Sequence, residues 1–403
     1  MKEVACKRAE KTCARWLLAC CLFLPLACGE SSSAKDEAPH GATDGTDALD
    51  TGNRDGVPSD GSSSTDDGEH PFVDTVVVDT SSGAPIDTLS GSDSHTLMDT
   101  VNDTDAPPDG RDILLPAAGA WLGLNSDHQL GDPQDVLPVR EAMYGRMADI
   151  YHAYHRWTSV FPKAFDVQAA EAGRHLLLNW KGAHADGTVI WGDIAAGKED
   201  EQIAVTAARI AAFGRPLFLT FHHEPEDEVR DGKGTAAEFA AAFRHVHDHF
   251  AALGVTNVVW VWNVMGFNGH QDLYEGGLYP GDAYVDWIAY DPYNWFGCRE
   301  TAKWRSFEEM TEWFYEWTGQ HHPEKPLMLA EFGSEEHGAE TPSKADWLRE
   351  IPVVLATTRT RIRAVVYFDT GPPHTCTWSL DSSPESIAAF RDIAADPFLN
   401  PPR

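Results

Sequence analysis

The sequence predicts a (β/α)8 barrel, and three observations lead to that fold class. From about Ile113 to Arg403, short apolar runs alternate with helix-like stretches. The runs are mostly apolar on both sides, as strands of a helix-covered parallel sheet must be. Polar residues gather where the runs end, and a span of about 290 residues is close to the usual size of such a barrel. A doubly wound open sheet is the rival. It would more often carry a glycine-rich phosphate turn after an early strand, and no GxGxxG or GxxxxGK[ST] occurs.

Taken in order, "GAWLGLN" (119–125) reads as a strand. "PVREAMYGRMADIYHAYH" (138–155) has helical spacing, with Met143, Met147, Ile150 and Tyr154 on one face. "RHLLLNW" is a strand. "DEQIAVTAARIAAFG" is an amphipathic helix that Gly214 would cap. "PLFLTF" is the next strand, and Thr235 with Glu238 forms a capping-box pattern opening the helix that follows. Strands "NVVWVWN" and "VDWIAYD", helix "SFEEMTEWFYEWTGQ", strand "PLMLAEFG", helix "KADWLREIPVVLATT", strand "IRAVVYFD" and a helix near "SPESIAAFRDIA" complete the series.

The N-terminal part differs in composition. Residues 1–28 have a basic start and an apolar run from Trp16 to Ala27, too short to span a bilayer well and ending in small residues. This reads as a signal peptide. The ending "LPLAC" makes Cys28 the expected lipidation site of a lipoprotein, although Pro25 stands where the motif usually has Leu. Residues 29–112 are rich in Asp, Ser, Thr and Gly and too poor in apolar groups to offset their ordering entropy, so a disordered linker is expected there. Asp-Thr recurs in it at no fixed spacing. About half of the formal charge of -32 falls in this linker. The acidity argues against nucleic acid and anionic lipid as partners and says little about the barrel itself. The domain is expected over 113–403.

The polar strand ends carry the chemistry. One strand runs into His222, His223 and Glu224, and others into Trp262-Asn263, Asp291-Pro292-Tyr293-Asn294, Glu331 and Asp369. In a (β/α)8 barrel these ends converge on one face. Glu224 and Glu331 facing each other across a cleft would suit glycoside hydrolysis, and buried salt bridges are the alternative reading. A metal site is not expected. His222 and His223 are strand neighbours and point to opposite faces. His245 and His249 share a helix face, with no third ligand evident beside them. No nucleophile elbow occurs, and no cysteine lies near a candidate base. Trp180, Trp191, Trp262, Tyr293, Trp295 and Trp378 cluster near the strand ends, where ring faces could stack on sugars, although large aromatics are also ordinary core.

"FHHEPE", "GVTNVVWVWNV", "LYPGDAYVDWIAYDPYNW" and "PLMLAEFG" together resemble glycoside hydrolase family 26. The resemblance covers roughly Trp121 to Phe390. It implies a retaining (β/α)8 barrel with catalytic glutamates on strands four and seven. It gives Glu224 the acid/base role and Glu331 the nucleophile's. It implies that His223 touches sugar and acid, that Tyr293 hydrogen-bonds the nucleophile, and that Trp262 and Asn263 line the same face. Two stretches depart from the mannanase pattern: Pro225 to Glu228 after the acid/base, and Trp180-Lys181 in place of Trp-His. Both bear on which sugar is bound.

The expectation is an exported, retaining endo-β-glycanase, lipid-anchored or, if the signal is a plain one, secreted, with mannan as first substrate. A β-1,3-1,4-glucanase or xylanase on the same scaffold is the alternative, as is a non-catalytic glycan-binding barrel. The presence of both glutamates argues against the last. A polysaccharide is the expected partner, a lipid anchor the one membrane contact, and the chain a monomer with no cofactor. Cys298 and Cys376 follow two strands of the same barrel face, so an exported chain should pair them.

Overall fold

The computed structural model describes residues 113–126, 131–337, 342–371 and 376–402, all within one compact unit, Glu69–Arg403. The expected signal segment 1–28, Cys28 and the linker 29–112 lie outside the described residues.

Among these residues eight parallel strands close into a (β/α)8 barrel. They are β1 (Trp121–Ser126), β2 (Ile150–Arg156), β3 (His175–Lys181), β4 (Leu217–Phe221), β5 (Val258–Val264), β6 (Trp287–Tyr290), β7 (Leu327–Ser334) and β8 (Ile362–Asp369). Neighbours in the chain pair with each other, and β8 returns to β1 from Trp121↔Ala364 to Ser126↔Asp369. Closure leaves these strands no unpaired edge. A two-residue strand, Tyr293–Asn294, adds to the top of β7.

The crossovers carry the helices: α1 (Pro133–Tyr144), α2 (Ala164–Glu171), α3 (Asp200–Phe213), α4 (Ala236–Ala252), α5 (Phe307–His321) and α6 (Lys344–Thr357), with α7 (Pro384–Ala395) after β8. Between β5 and β6 the chain instead makes short helical turns within 268–284. Gly214 caps α3 at φ 71°, where its N–H reaches the Ile210 carbonyl. Thr235 Oγ1 accepts from the Glu238 N–H, and the Glu238 carboxylate accepts from the Thr235 N–H, the expected capping box.

The 138–155 stretch corrects one expectation. The helix stops at Tyr144, capped by Gly145 at φ 91°, and residues 150–156 form β2. Two other helix-spaced residues, Ile150 and Tyr154, are also two strand periods apart, so both share a face under either reading. What decides is Gly145, whose left-handed conformation ends the helix.

Strand alternation divides the core in two. Leu177, Phe218, Val259, Val261, Trp287 and Val366 fill the barrel interior. Leu178, Trp180, Leu219, Trp262, Phe243 and Phe314 pack between barrel and helices. Each strand therefore sends alternate residues inward, and at the strand ends that inward set becomes the floor of the site.

Cys298 and Cys376 form a disulfide with Cα atoms 5.3 Å apart, as expected. It ties the loop after Tyr293–Asn294 to the loop after β8, closing a span of 78 residues. Chain entropy sets an upper stabilisation of about 4–5 kcal/mol for such a loop. Reduction of the native protein should therefore lower its thermal midpoint while leaving far-ultraviolet circular dichroism below the transition unchanged. An identical melting curve with and without reductant would contradict this.

Candidate active site

The site begins where β4 ends. His222 and Glu224 both adopt positive φ, 49° and 48°, which costs an L-residue about 1 kcal/mol or more. Backbone bonds to both neighbouring strands hold this turn. The His222 N–H donates to the Trp180 carbonyl of β3 at 3.0 Å. The Glu224 N–H donates to the Asn263 carbonyl of β5 at 3.1 Å. Pro225 then leads into a short helix, Glu226–Arg230. The apolar run thus ends in a strained turn that holds Glu224 at the barrel mouth.

Glu331 comes from β7, where the register with β8 shifts between Leu329 and Phe332. Such irregularities re-aim side chains next to functional sites. Glu331 as a residue is only 6% exposed, and its carboxylate accepts two phenol hydrogen bonds. Tyr293 donates to Oε2 at 2.6 Å, and Tyr154 of β2 donates to Oε1. The Glu331 N–H donates to Asp291 Oδ1 at 2.9 Å, and Asn263 Nδ2 donates to Asp291 Oδ2 at 2.9 Å.

Three carboxyl groups therefore share this floor. Burial first, then the charge of Glu331 and the acidic residues after it, hold Glu224 well above the usual carboxylate range. Burial, then Glu331 and Glu224, do the same to Asp291. Burial also raises Glu331, and the hydroxyls of Tyr154 and Tyr293 oppose that rise. Hydrogen bonds to the charged form favour ionisation, so of the two glutamates Glu331 is the one set to carry charge and Glu224 the proton.

The histidines stay neutral. Burial, with Lys181 and His222 nearby, lowers His223 to about 3. Its ring lies 5.1 Å from that of Tyr154. His222 is lowered chiefly by burial. Trp191 Nε1 donates to His222 Nδ1 at 3.0 Å, which leaves the proton on Nε2, facing Glu228 Oε1 at 3.3 Å. Lys181 Nζ lies 3.4 Å from the same oxygen. Burial raises Glu228, yet His222 and Lys181 outweigh it, and the group falls to about 2.

The structure brings Glu224, His223, Asn263, Tyr293 and Glu331 together. Trp295 sits at the rim, 5.5 Å from Tyr293 ring to ring, with the Arg299 guanidinium 3.6 Å over it. Trp180 and Trp262 are corrections: both are 0% exposed. Trp180 stacks on Trp157 at 4.1 Å, and Trp262 packs edge-on against Tyr279 at 4.9 Å. Alternation explains it. Asn263 points inward, so its neighbour Trp262 points at the helices. Sequence reasoning missed Tyr154 as a site residue; the residue is 37% exposed. Trp378, one of the aromatics expected near this face, stacks on Tyr293 at 4.9 Å. Period-two spacing in "IYHAYHR" is the signal that would have placed Tyr154.

Compared with known proteins, the chain is 30% identical over 294 residues to endoglucanase H of Acetivibrio thermocellus, covering 70% of this chain and 31% of that protein. It is 28% identical over 118 residues to beta-1,3-xylanase TXYA of a Vibrio species, covering 28% of this chain and 25% of the relative. The chain thus spans about a third or less of these relatives. A solved ruminal endo-beta-1,4-mannanase of glycoside hydrolase family 26 superposes with a TM-score of 0.52 at 16% identity, over 70% of this chain and 64% of that one. In fold, the chain is family 26-like. No protein-family model matches it.

Beneath the mouth of this family 26-like barrel, Glu226 is fully buried. Its Oε1 accepts from Tyr274 at 2.7 Å and from the Met265 N–H at 2.8 Å. Burial nevertheless lifts it from 4.5 to about 7. A raised carboxyl contributes stability that is full below its unfolded value and is lost as pH rises through the folded one. Glu226→Gln keeps the acceptor oxygen and removes the titration. Between pH 4.5 and 7 the variant should therefore gain stability relative to the parent, by roughly 3 kcal/mol at most. Denaturant midpoints at both pH values check this, and a constant difference would contradict it.

Proposed function

We propose that this chain is a retaining endo-β-glycanase of the family 26 type, with Glu331 as nucleophile and Glu224 as acid/base. The observation that carries the reading is the Glu331 carboxylate held by two tyrosine hydroxyls opposite a Glu224 whose own pKa is raised. Protonated Glu224 would give its proton to the leaving glycosidic oxygen as Glu331 attacks the anomeric carbon. Formation of the glycosyl-enzyme removes the charge of Glu331. The repulsion on Glu224 then falls, its pKa drops, and it can take a proton from the incoming water. His223, neutral beside Tyr154, is assigned to a sugar hydroxyl.

For substrate, a β-glucan is the first choice, because the relative matched over 70% of this chain is named an endoglucanase. Mannan remains the second reading, favoured by the mannanase of like fold. Lys181 at the barrel mouth departs from the mannanase pattern and so argues against mannan without choosing among the other glycans. Among the described residues no helix is long and apolar enough to cross a membrane. The Cys298–Cys376 bridge supports export to an oxidising compartment, and Cys28 is the proposed lipid anchor.

A panel of β-glucan, xylan and mannan decides the substrate. Glu331→Ala should lose at least 10³-fold in turnover on every active substrate, on the scale of losing a nucleophile. Glu224→Ala should be as poor on polysaccharide but keep the first step for aryl glycosides with very good leaving groups, which need no acid. NMR of early product should show the retained anomer. Initial release of the inverted anomer, or an active Glu331→Ala, would overturn the assignment.

A further inference from the structure

On the outer helical layer, α3 begins with Asp200, and α4 carries His245 and His249 one turn apart. His245 Nε2 lies 2.6 Å from Asp200 Oδ1, and His249 Nδ1 lies 3.8 Å from the same oxygen. The three donor atoms all fall within 4.8 Å of one another. We propose that Asp200, His245 and His249 form a binding site for a divalent transition-metal ion of the zinc type, joining α3 to α4.

The donor set fits that class of ion. Two imidazole nitrogens and one carboxylate oxygen are borderline ligands that suit Zn²⁺, Ni²⁺ or Cu²⁺ better than Ca²⁺ or Mg²⁺. Histidines at i and i+4 present both rings on one helix face, the spacing that helical zinc sites use. Metal–ligand bonds of about 2.0–2.1 Å put tetrahedral ligand atoms about 3.3 Å apart. The two carboxylate–imidazole distances straddle that value, so small rotamer changes would bring all three onto one ion. The side chains are 28%, 25% and 44% exposed for His245, His249 and Asp200, which leaves an entry path and room for water to complete the shell.

The surroundings do not compete for the carboxylate. Among the described residues, the ion pairs of Asp200 are with these two histidines and with no lysine or arginine. The nearby Lys198 is instead paired with Asp193 at 2.6 Å. The third histidine of the helix, His247, points elsewhere: its ring packs on Trp260 at 5.4 Å and on Tyr284 at 5.0 Å. The absence of an evident third ligand in the sequence is thus corrected by a residue 45 positions upstream of His245. The alternative is a plain Asp200–His245 hydrogen bond with His249 as a bystander, which would bind no ion.

Calorimetric titration of the chelator-treated full chain with ZnCl₂ tests this without reference to glycanase activity. The expected result is one saturable equivalent of Zn²⁺ and a raised thermal midpoint. His249→Gln and Asp200→Asn should each weaken that equivalent by about tenfold or more and abolish its share of the midpoint shift. Absence of saturable binding, or affinity unchanged in His249→Gln, would overturn the proposal. Should a variant fail to fold, the parent protein still decides. Zn²⁺ should protect His245 and His249, but not the exposed ring of His184, from diethyl pyrocarbonate as read by peptide mass spectrometry. Equal labelling with and without Zn²⁺ overturns the site.

Discussion

Two tyrosine hydroxyls donate to the carboxylate of Glu331, and the other polar groups at the barrel mouth are arranged around the charge those bonds favour. Three buried carboxyls this close cannot all ionise, because each charge raises the cost of the next. Glu224 has like charges behind and beside it, from Glu331 to Glu228. Asp291 spends both oxygens on positioning, one on the Glu331 backbone and one on Asn263. Neutral His223 adds no compensating charge. The difference between the two glutamates is therefore set by donors rather than by depth. That difference is what the proposed acid and nucleophile need before any substrate arrives.

The strained turn after β4 follows from the same arrangement. Its two positive-φ residues are unfavourable alone, yet bonds to β3 and β5 hold them. The acidic residues after Glu224 are then absorbed one at a time. Glu226 goes beneath Tyr274 and the Met265 amide, and Glu228 goes between His222 and Lys181. The one whose partners are neutral rises to about 7, whereas the one with a lysine beside it falls to about 2. Partner chemistry separates two glutamates only two residues apart.

Where Glu224 and Glu331 sit was legible because each ends an apolar run, and a barrel collects such ends on one face. The capping box at Thr235 and the glycine at 214 were legible because their bonds are local. Alternation was legible too, but it had to be carried to the last residue. Once Asn263 is taken as inward, Trp262 is committed to the helix layer, and likewise Trp180 beside Lys181. Tyr154 was hidden because a four-residue interval satisfies a helix turn and two strand periods alike. Asp291 was visible as a strand end, but its hold on the Glu331 amide was not, since that contact joins β6 to β7 across 40 residues. Asp200 was hidden for a similar reason, meeting α4 only through the packing of two crossover helices.

The charge at the mouth also bears on what the cleft can hold. Lys181 is inward on β3 and reaches the mouth, but Glu228 lies 3.4 Å away and is held ionised. The Arg299 guanidinium sits 3.6 Å over the Trp295 ring and feels the carboxylate of Asp227. Each of these cations thus has an anion beside it, while Glu331 adds a buried negative charge. An anionic sugar entering this cleft would meet repulsion from Glu331 and cations already shared with other carboxylates. A neutral sugar meets hydroxyl, imidazole and aromatic groups, including the open ring of Tyr154, that suit its own hydroxyls and ring faces. If the proposed glycanase reading holds, the electrostatics of the mouth thus side with an uncharged glycan over an anionic one.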